Sequence, residues 1–523
     1  MLGRRTISFF TYNLMYALWT LGVYNIFFWQ QIGLTVSVSV FVILALVALL
    51  SLMVVQSLLF HSKTVKFLSI LFLVLNSLAG YFTTSYHLIL NKTMLANIFE
   101  TNAFEATEWL GRAFWIYMLL FAVLPILFIS CIKIEFESFG KRFKHLFVMI
   151  VGIVMLLSVF LPYKTDVKIY LKTNFNLRYQ FVPTGYISGL VGLVANRFKN
   201  VEILNTTADL SFKPYWNTSK KNLIVLVLGE SARDASFSLS GYKRDTAAPL
   251  REFLNDMTVF HRTEACGVVT RVSLPCMFSA YTRETYKEQA IPFSTNVLDI
   301  LAKSGMDLVW LDNELGCNKV CRNIHTEYTC KSRDCTDMLL NNALREKIPD
   351  FTKDTVVVLH QRGSHGPRYD LRVPEEYRKW KPYCERSDTQ RCSYEELVNA
   401  YDNTMYYTAV TIADLIRTLS KWSDKYNPVL IYMSDHGESL GENGIYGHGG
   451  DFNDATNEQK QVPFFIWMPK STRMAFGLDK RCLDAKTGNQ QSHDALFHSL
   501  LGLSGVKTKV YGEKLDIFAG CHQ

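Results

Sequence analysis

Pro428–Glu438 reads PVLIYMSDHGE, and the remainder of the chain is best understood outward from it. An apolar run, Val429 to Met433, breaks into Ser434, Asp435, His436, Gly437 and Glu438. Five apolar residues followed by a polar turn describe a buried strand ending at a site. Neighbours on a strand point to opposite faces. Asp435 and His436 therefore reach one target only if the backbone leaves the ladder there, and Gly437 would permit that. A carboxylate and an imidazole converging at a strand end suit a divalent metal, most naturally zinc.

The same pattern recurs along the chain. Leu223–Leu228 leads into Gly229-Glu230-Ser231, and Thr355–His360 leads into Gln361-Arg362-Gly363-Ser364-His365-Gly366. A further apolar run, Val462–Met468, follows the opening motif, and helical stretches lie between these runs. The alternation implies an α/β sheet with covering helices, in which ligands gather beyond the strand ends. Glu230, His365, Asp435 and His436 stand at those ends, and His448 follows in Tyr446-Gly447-His448-Gly449-Gly450. Candidate nucleophiles lie in Cys266-Gly-Val-Val-Thr270-Arg-Val-Ser273-Leu-Pro-Cys276. A hydroxyl is a poor nucleophile at neutral pH, and coordination to zinc lowers its pKa, so Thr270 and Ser273 both qualify.

At 523 residues the chain exceeds one ordinary domain, and its 49% apolar and 20% charged residues are unevenly spread. Five stretches approach or exceed the ~20 residues that span a bilayer: Ile7–Trp29, Val36–Phe60, Phe67–Leu88, Phe114–Ile134 and Leu146–Pro162. The first lacks a small-residue cleavage site and is read as a span, not a signal peptide. Arg4, Arg5, Lys63, Lys66, Lys133, Lys141, Arg142 and Lys144 fall in alternate loops, against only Lys92 and Arg112 on the other side. The larger group belongs in the cytoplasm, which exports everything after residue 163, to the periplasm in a Gram-negative cell. The expected organisation is a five-helix membrane bundle over 1–163, an interfacial linker over 164–219 and a periplasmic α/β domain over 220–523. In the linker, Tyr170, Phe175, Tyr179, Phe181, Tyr186 and Phe198 alternate with Lys168, Lys172, Arg178, Arg197 and Lys199, a composition suited to the headgroup layer. Glu100, Glu105 and Glu108, between the third and fourth spans, form either a solvated helix face or a surface for a cationic headgroup.

The net charge of +8 comes from dispersed residues, and no nucleic-acid motif accompanies it. Of eleven cysteines, Cys131 lies in an apolar span and ten follow Tyr242. An even number in an exported domain favours disulfides, and the spacings Cys317-x3-Cys321 and Cys330-x4-Cys335 leave zinc knuckles as the competing reading. Sequence leaves the pairing open.

Further motifs carry a resemblance. They are Gly229-Glu-Ser-Ala-Arg233 with Gly241-Tyr, Cys266-Gly-x-x-Thr270-x-Val-Ser-x-Pro-Cys276-Met-Phe-Ser and Trp310-x-Asp-Asn-x-x-Gly-Cys317. With them stand Gly363-Ser-His365-Gly-Pro, Tyr401-Asp-Asn-Thr404 and Ser434-Asp-His-Gly-Glu-Ser-Leu-Gly-Glu-Asn443. The chain resembles the lipid A phosphoethanolamine transferases of Gram-negative inner membranes, which include the mobile colistin-resistance enzymes, within the alkaline-phosphatase superfamily. The resemblance covers nearly the whole chain.

It implies a sulfatase-like sandwich domain, a catalytic Thr270, and Glu230, Thr270, Asp435 and His436 around a zinc ion. His365 and His448 match positions that touch the phosphoryl group or a second zinc, and Asn97 and Glu105 match positions near the donor headgroup. The implied reaction moves phosphoethanolamine from phosphatidylethanolamine to lipid A through a phospho-threonine, lowering surface negative charge and polymyxin binding. A monomer is expected. Two residues depart from the family pattern: Asn318 where lysine is frequent, and Arg271 where small residues are common. A sulfatase would need a modifiable Cys or Ser followed by Pro and Arg, which Thr270-Arg-Val does not supply. Glycerol-phosphate transfer, other acceptors (core sugars, glycans, proteins) and a non-catalytic membrane receptor are the remaining alternatives.

Overall fold

The computed structural model describes residues 6–101, 103–173, 177–196, 203, 209–212, 219–314, 316–330, 332 and 335–522. The chain forms two compact units, Met1–Phe99 with Leu110–Ala195, and Glu100–Trp109 with Asn196–Gln523.

Among the described residues of the first unit, three helices are long and apolar enough to cross a membrane: Val38–Leu59, Val65–Tyr86 and Arg112–Cys131. Two of the five expected spans take another form. The stretch Ile7–Trp29 is broken into helices Phe9–Tyr24 and Ile26–Thr35 at Asn25. The buried Asn25 amide donates to the carbonyls of Thr20 (2.9 Å) and Val182 (3.0 Å), and its oxygen accepts the Val182 N–H at 2.7 Å. A side chain that satisfies backbone groups in this way stabilises a break in the helix. The stretch Leu146–Pro162 lies mostly in helix Phe139–Ser158, whose beginning carries Lys141, Arg142 and Lys144. Polar contacts join these helices where apolar packing alone supplies little driving force. Asn13 Nδ2, for example, donates to the Met53 carbonyl at 2.9 Å and to Ser57 Oγ at 2.8 Å. The segment expected to be interfacial contains helices Lys164–Thr173, Leu177–Gln180 and Thr184–Asn196.

Among the described residues, the second unit is built on a seven-stranded mixed sheet. Its strands are β1 (Lys221–Gly229), β2 (Met257–Phe260), β3 (Asp307–Asp312), β4 (His325–Tyr328), β5 (Thr355–His360), β6 (Tyr426–Ser434) and β7 (Phe464–Trp467). They lie in the order β2-β7-β6-β1-β5-β3-β4. β6, β1, β5, β3 and β4 run parallel, and β7 is antiparallel to both β6 and β2.

Central parallel strands are covered on both faces, so they are apolar throughout. Along β1, Ile224, Leu226 and Leu228 enter one core with Leu274, Met277 and Phe497, while Leu223, Val225 and Val227 enter the other with Met405, Ile412 and Ile416. The first core holds helices α1 (Thr270–Met277) and α3 (Asp494–Leu503); the second holds α2 (Tyr394–Lys421). A capping box between Ser393 and Glu396 starts α2, satisfying backbone donors that a helix start leaves open.

Register places Ser434 opposite Gly229, Leu228 opposite His360, and His360 opposite Asp312. Four parallel strands thus end at one level, and the segments that follow them open on one side of the sheet.

All ten cysteines after Tyr242 form disulfides: Cys266–Cys276, Cys317–Cys321, Cys330–Cys335, Cys384–Cys392 and Cys482–Cys521. The zinc-knuckle alternative falls, because the sulfurs bond one another. Cys131 is the free cysteine.

Candidate active site

Glu230 follows β1 directly and is fully buried, as are Asp435 and His436 beyond β6. One ligand-type atom from each lies within 4.8 Å of the others. Ser231 supplies the turn that makes this possible. Its φ of 55° is in the left-handed region, unusual for a side chain bearing Cβ. In that conformation its N–H donates to Asp435 Oδ1 at 3.1 Å, and its hydroxyl donates to Glu230 Oε1 at 2.8 Å.

Gly437 has a different role from the one its flexibility suggests. Its φ is not positive, but a Cβ there would sit 2.0 Å from the Glu458 carbonyl oxygen, so glycine is needed for close approach. Gly363 is constrained on both counts: its φ is +50°, and a Cβ would lie 2.6 Å from the Glu230 carbonyl oxygen.

Thr270 opens α1, where partial positive charge at the helix start favours an anionic phosphate. Its hydroxyl donates to Glu230 Oε2 at 3.1 Å and lies 3.3 Å from His436 Nε2. His436 Nδ1–H donates to the Gly437 carbonyl at 2.9 Å, which leaves the Nε2 lone pair facing the carboxylates and the threonine. Burial lowers the His436 pKa to about 4, keeping the ring neutral and able to act as a ligand.

Burial and the neighbouring Asp435 carboxylate push the Glu230 carboxyl well above its usual value. Burial would raise Asp435 as well, but His436 and the N–H donors of Ser231 and His436 outweigh it and hold that carboxyl low. Asp435 Oδ2 has no hydrogen bond among the described residues. Two buried carboxylates, an orphaned oxygen and a lone pair aimed at one point fit a divalent cation, which would offset the charge repulsion. Oxygen and imidazole donors in this number suit zinc.

His448 lies over this cluster, its ring 4.3 Å from His436 and 5.5 Å from His365. Its Nδ1–H donates to Glu438 Oε2 at 3.0 Å. Burial alone would raise the Glu438 carboxyl, but the His448 imidazole and its hydrogen bond hold it below its usual value. His365 Nδ1–H donates to the Gly366 carbonyl at 2.7 Å, and Nε2 points toward Glu314 Oε1, 3.9 Å away. The loop carrying His365 is pinned by Asp337, whose carboxylate accepts the N–H groups of Arg362 (2.8 Å) and Gly363 (2.9 Å).

Thr270, Glu230, Asp435, His436, His365 and His448 are thus brought together. Asn97 lies on helix Lys92–Glu100 of the first unit, and the Glu105 side chain is outside the described residues. Ser273, the second candidate nucleophile, is buried and donates to the Asp435 carbonyl while contacting His493 Nδ1 at 3.1 Å; it positions the strand end. Arg271 pairs with Glu288 through both terminal nitrogens. Asn318 sits at φ 44° within the Cys317–Cys321 loop, a conformation asparagine tolerates better than most residues.

Sequence reasoning gave no role to Glu438, although it stands inside the Ser434–Asn443 motif. It also misjudged Glu108. That residue is neither solvated nor free for a headgroup: it is buried and pairs with Arg362 and Arg372.

A mixed sheet that gathers a hydroxyl, two carboxylates and three imidazoles beyond its parallel strand ends defines a sulfatase-type domain, and residues 222–506 match the Sulfatase family model. Residues 46–198 match the model described as Phosphoethanolamine transferase EptA/EptB. Phosphoethanolamine transferase EptA of Escherichia coli K12 is 35% identical over 470 residues, covering 87% of this chain and 85% of the relative. Phosphatidylethanolamine transferase Mcr-1 of Escherichia coli is 29% identical, covering 96% of both chains. The solved integral membrane protein lipooligosaccharide phosphoethanolamine transferase A of Neisseria meningitidis superposes with a TM-score of 0.93 at 28% identity, covering 99% of this chain and 100% of that one. The chain belongs to the EptA phosphoethanolamine transferase family.

Proposed function

We propose that this protein transfers phosphoethanolamine from phosphatidylethanolamine to lipid A, with Thr270 as the residue that carries the group between them. The observation that bears most weight is the Thr270 hydroxyl 3.1 Å from Glu230 Oε2 and 3.3 Å from His436 Nε2, at the start of a helix.

Thr270 Oγ1 attacks the phosphorus, the bond to the glycerol oxygen breaks, and diacylglycerol leaves with the proton. A protonated oxygen of the acceptor then attacks the phosphorus, the Oγ1–P bond breaks, and the acceptor's proton passes to Oγ1 to restore the threonine hydroxyl. Glu230, Asp435 and His436, with Thr270, are the residues that would hold zinc. When bound, zinc supplies a Lewis acid that lowers the pKa of a hydroxyl and offsets phosphoryl charge. Glu230 Oε2 accepts the Thr270 hydrogen bond and aims its oxygen. Burial keeps His436 neutral, and the Nδ1–H committed to a backbone carbonyl leaves Nε2 as the acceptor. His365 and His448 would face the phosphoryl oxygens and stabilise their charge in the transition state, and Asn97 and Glu105 would meet the donor headgroup.

Both lipids are confined to a bilayer, which explains a chain carrying apolar helices as well as this site. In this reading 1–163 crosses the inner membrane five times, 164–219 lies in the interface, and 220–523 works in the periplasm as a monomer. Disulfides agree with an oxidising compartment. Capping lipid A phosphates with phosphoethanolamine would weaken binding of cationic polymyxins.

Mass spectrometry of lipid A from cells expressing the wild type or Thr270→Ala is the test. The wild type should add phosphoethanolamine and the variant should not. No addition by the wild type removes lipid A as acceptor, and equal addition by both removes Thr270 as nucleophile.

A further inference from the structure

The ten residues Glu100–Trp109, which precede helix Arg112–Cys131, belong to the second unit, and two of them, Glu108 and Trp109, reach the loops bearing His365 and His448. The Glu108 side chain is fully buried. Its carboxylate accepts from Arg362 Nη2 at 3.3 Å through one oxygen and from Arg372 Nη2 through the other. Both guanidiniums are themselves at least nine-tenths buried. Arg372 Nε donates to the His365 carbonyl at 2.9 Å, and the His365 N–H donates to the Arg362 carbonyl at 3.2 Å. Arg362 Nε and His365 Nε2 each lie 3.9 Å from Glu314, so the ring end of His365 shares a carboxylate with the same arginine. Trp109, the next residue, lies against Gly447, where an added Cβ would be 3.8 Å from its ring; His448 follows Gly447.

Two buried guanidiniums in one place repel each other and each needs a partner. Glu108 is the carboxylate that touches both. Without it, Arg362 and Arg372 would separate or draw in water, and Arg372 would release the His365 carbonyl. We infer that Glu108 is a positioning residue for His365, the counter-charge that lets Arg362 and Arg372 clamp the His365 loop, with Trp109 bracing the neighbouring His448 loop. This rests on the reading that His365 faces the transferred phosphoryl group. It also gives the Glu100–Trp109 segment a task within the catalytic unit itself, separate from any contact with a headgroup.

The test uses the full-length protein in proteoliposomes, with headgroup-labelled phosphatidylethanolamine as donor and lipid A as acceptor. Glu108→Gln keeps the shape and removes the charge; Glu108→Asp keeps the charge and shortens the reach. Residues that orient a working group typically cost roughly 10–100-fold when lost, and a loss of that size is expected in kcat for Glu108→Gln. KM for the donor should stay within about two-fold, since no substrate contact is removed. Glu108→Asp should be the more active variant, and the double variant Glu108→Gln/Arg362→Met should recover part of the lost kcat by removing one of the repelling charges.

A Glu108→Gln protein with wild-type kcat overturns the inference. So does Glu108→Asp falling below Glu108→Gln, which would mark a role in shape alone. If Glu108→Gln does not accumulate, the double variant replaces it, and its failure to accumulate as well overturns the inference. A wild type that transfers nothing, like Thr270→Ala, would instead remove the functional reading beneath it.

Discussion

Among the described residues His493 makes no hydrogen bond to Glu230, Thr270, Asp435 or His436, and replacing it tests whether the candidate cluster depends on what lies beside it. The residue is completely buried. Its Nδ1 accepts the Cys266 N–H at 3.1 Å, and its Nε2–H donates to the Ser434 carbonyl at 2.9 Å. Cys266 stands four residues before Thr270 and Ser434 immediately precedes Asp435, so one imidazole ties the two halves of the site. In His493→Leu the volume is nearly kept, but a buried N–H and a buried C=O lose their partners. Each such orphan costs about 1–3 kcal/mol, giving about 2–6 kcal/mol in all. His493→Gln can restore the bond to Ser434 only and should lose about half as much.

A pH signature separates this from general loosening. Burial lowers the His493 pKa from its ordinary 6.5 to about 4. The unfolded chain therefore binds the proton first as pH falls, so this histidine's contribution is intact above pH 6.5 and is lost between 6.5 and about 4. Within that window its share of the slope approaches about 1.4 kcal/mol per pH unit. Thermal unfolding of the purified protein, followed by tryptophan fluorescence from pH 4 to 8, should show the Leu variant less stable at pH 7 and less sensitive to acid. Transfer activity should fall with every cluster residue intact. A Leu variant with wild-type midpoint and wild-type acid sensitivity would refute the reasoning.

Other outcomes follow from the same geometry. Gly363→Ala should abolish most transfer, because its backbone is left-handed and its new Cβ would stand 2.6 Å from the Glu230 carbonyl oxygen; headgroup transfer at the wild-type rate would contradict this. Among the disulfides, Cys482–Cys521 spans 39 residues and Cys317–Cys321 only 4. Chain-entropy arguments give about 4 and about 2 kcal/mol respectively, so Cys482→Ser/Cys521→Ser should lower the melting point more than the other double replacement. Chelation should lower thermal stability above pH 4.5, where the raised Glu230 pKa makes ionisation of the metal-free carboxyl costly, and the loss should grow as pH rises. Zinc at about one hundred times its Kd should restore about 2.7 kcal/mol, read as a shift in the melting curve; a curve indifferent to zinc would argue against the cluster as its site.

Much of this protein was legible from its residues alone. The runs ending at Gly229, His360 and Ser434 read as strands covered on both sides, because they are apolar on both alternating faces. Glycine-flanked acids and histidines directly after them marked the site, and an even set of exported cysteines marked the disulfides. These features are local, and local patterns survive in one dimension. What lay beyond reach was decided by contacts distant in sequence. Asn25 broke the first apolar stretch by bonding to Val182, and composition carries no trace of that partner. Gly437 proved necessary for space beside Glu458, not for backbone freedom. The choice of His436 Nε2 over Nδ1 was made by the carbonyl of Gly437, and Ser273 was turned from nucleophile to strut by Asp435 and His493. Glu108 shows the limit most plainly: a carboxylate's partner depends on which buried cations the fold brings to it, and Arg362 and Arg372 stand some 250 residues further along the chain.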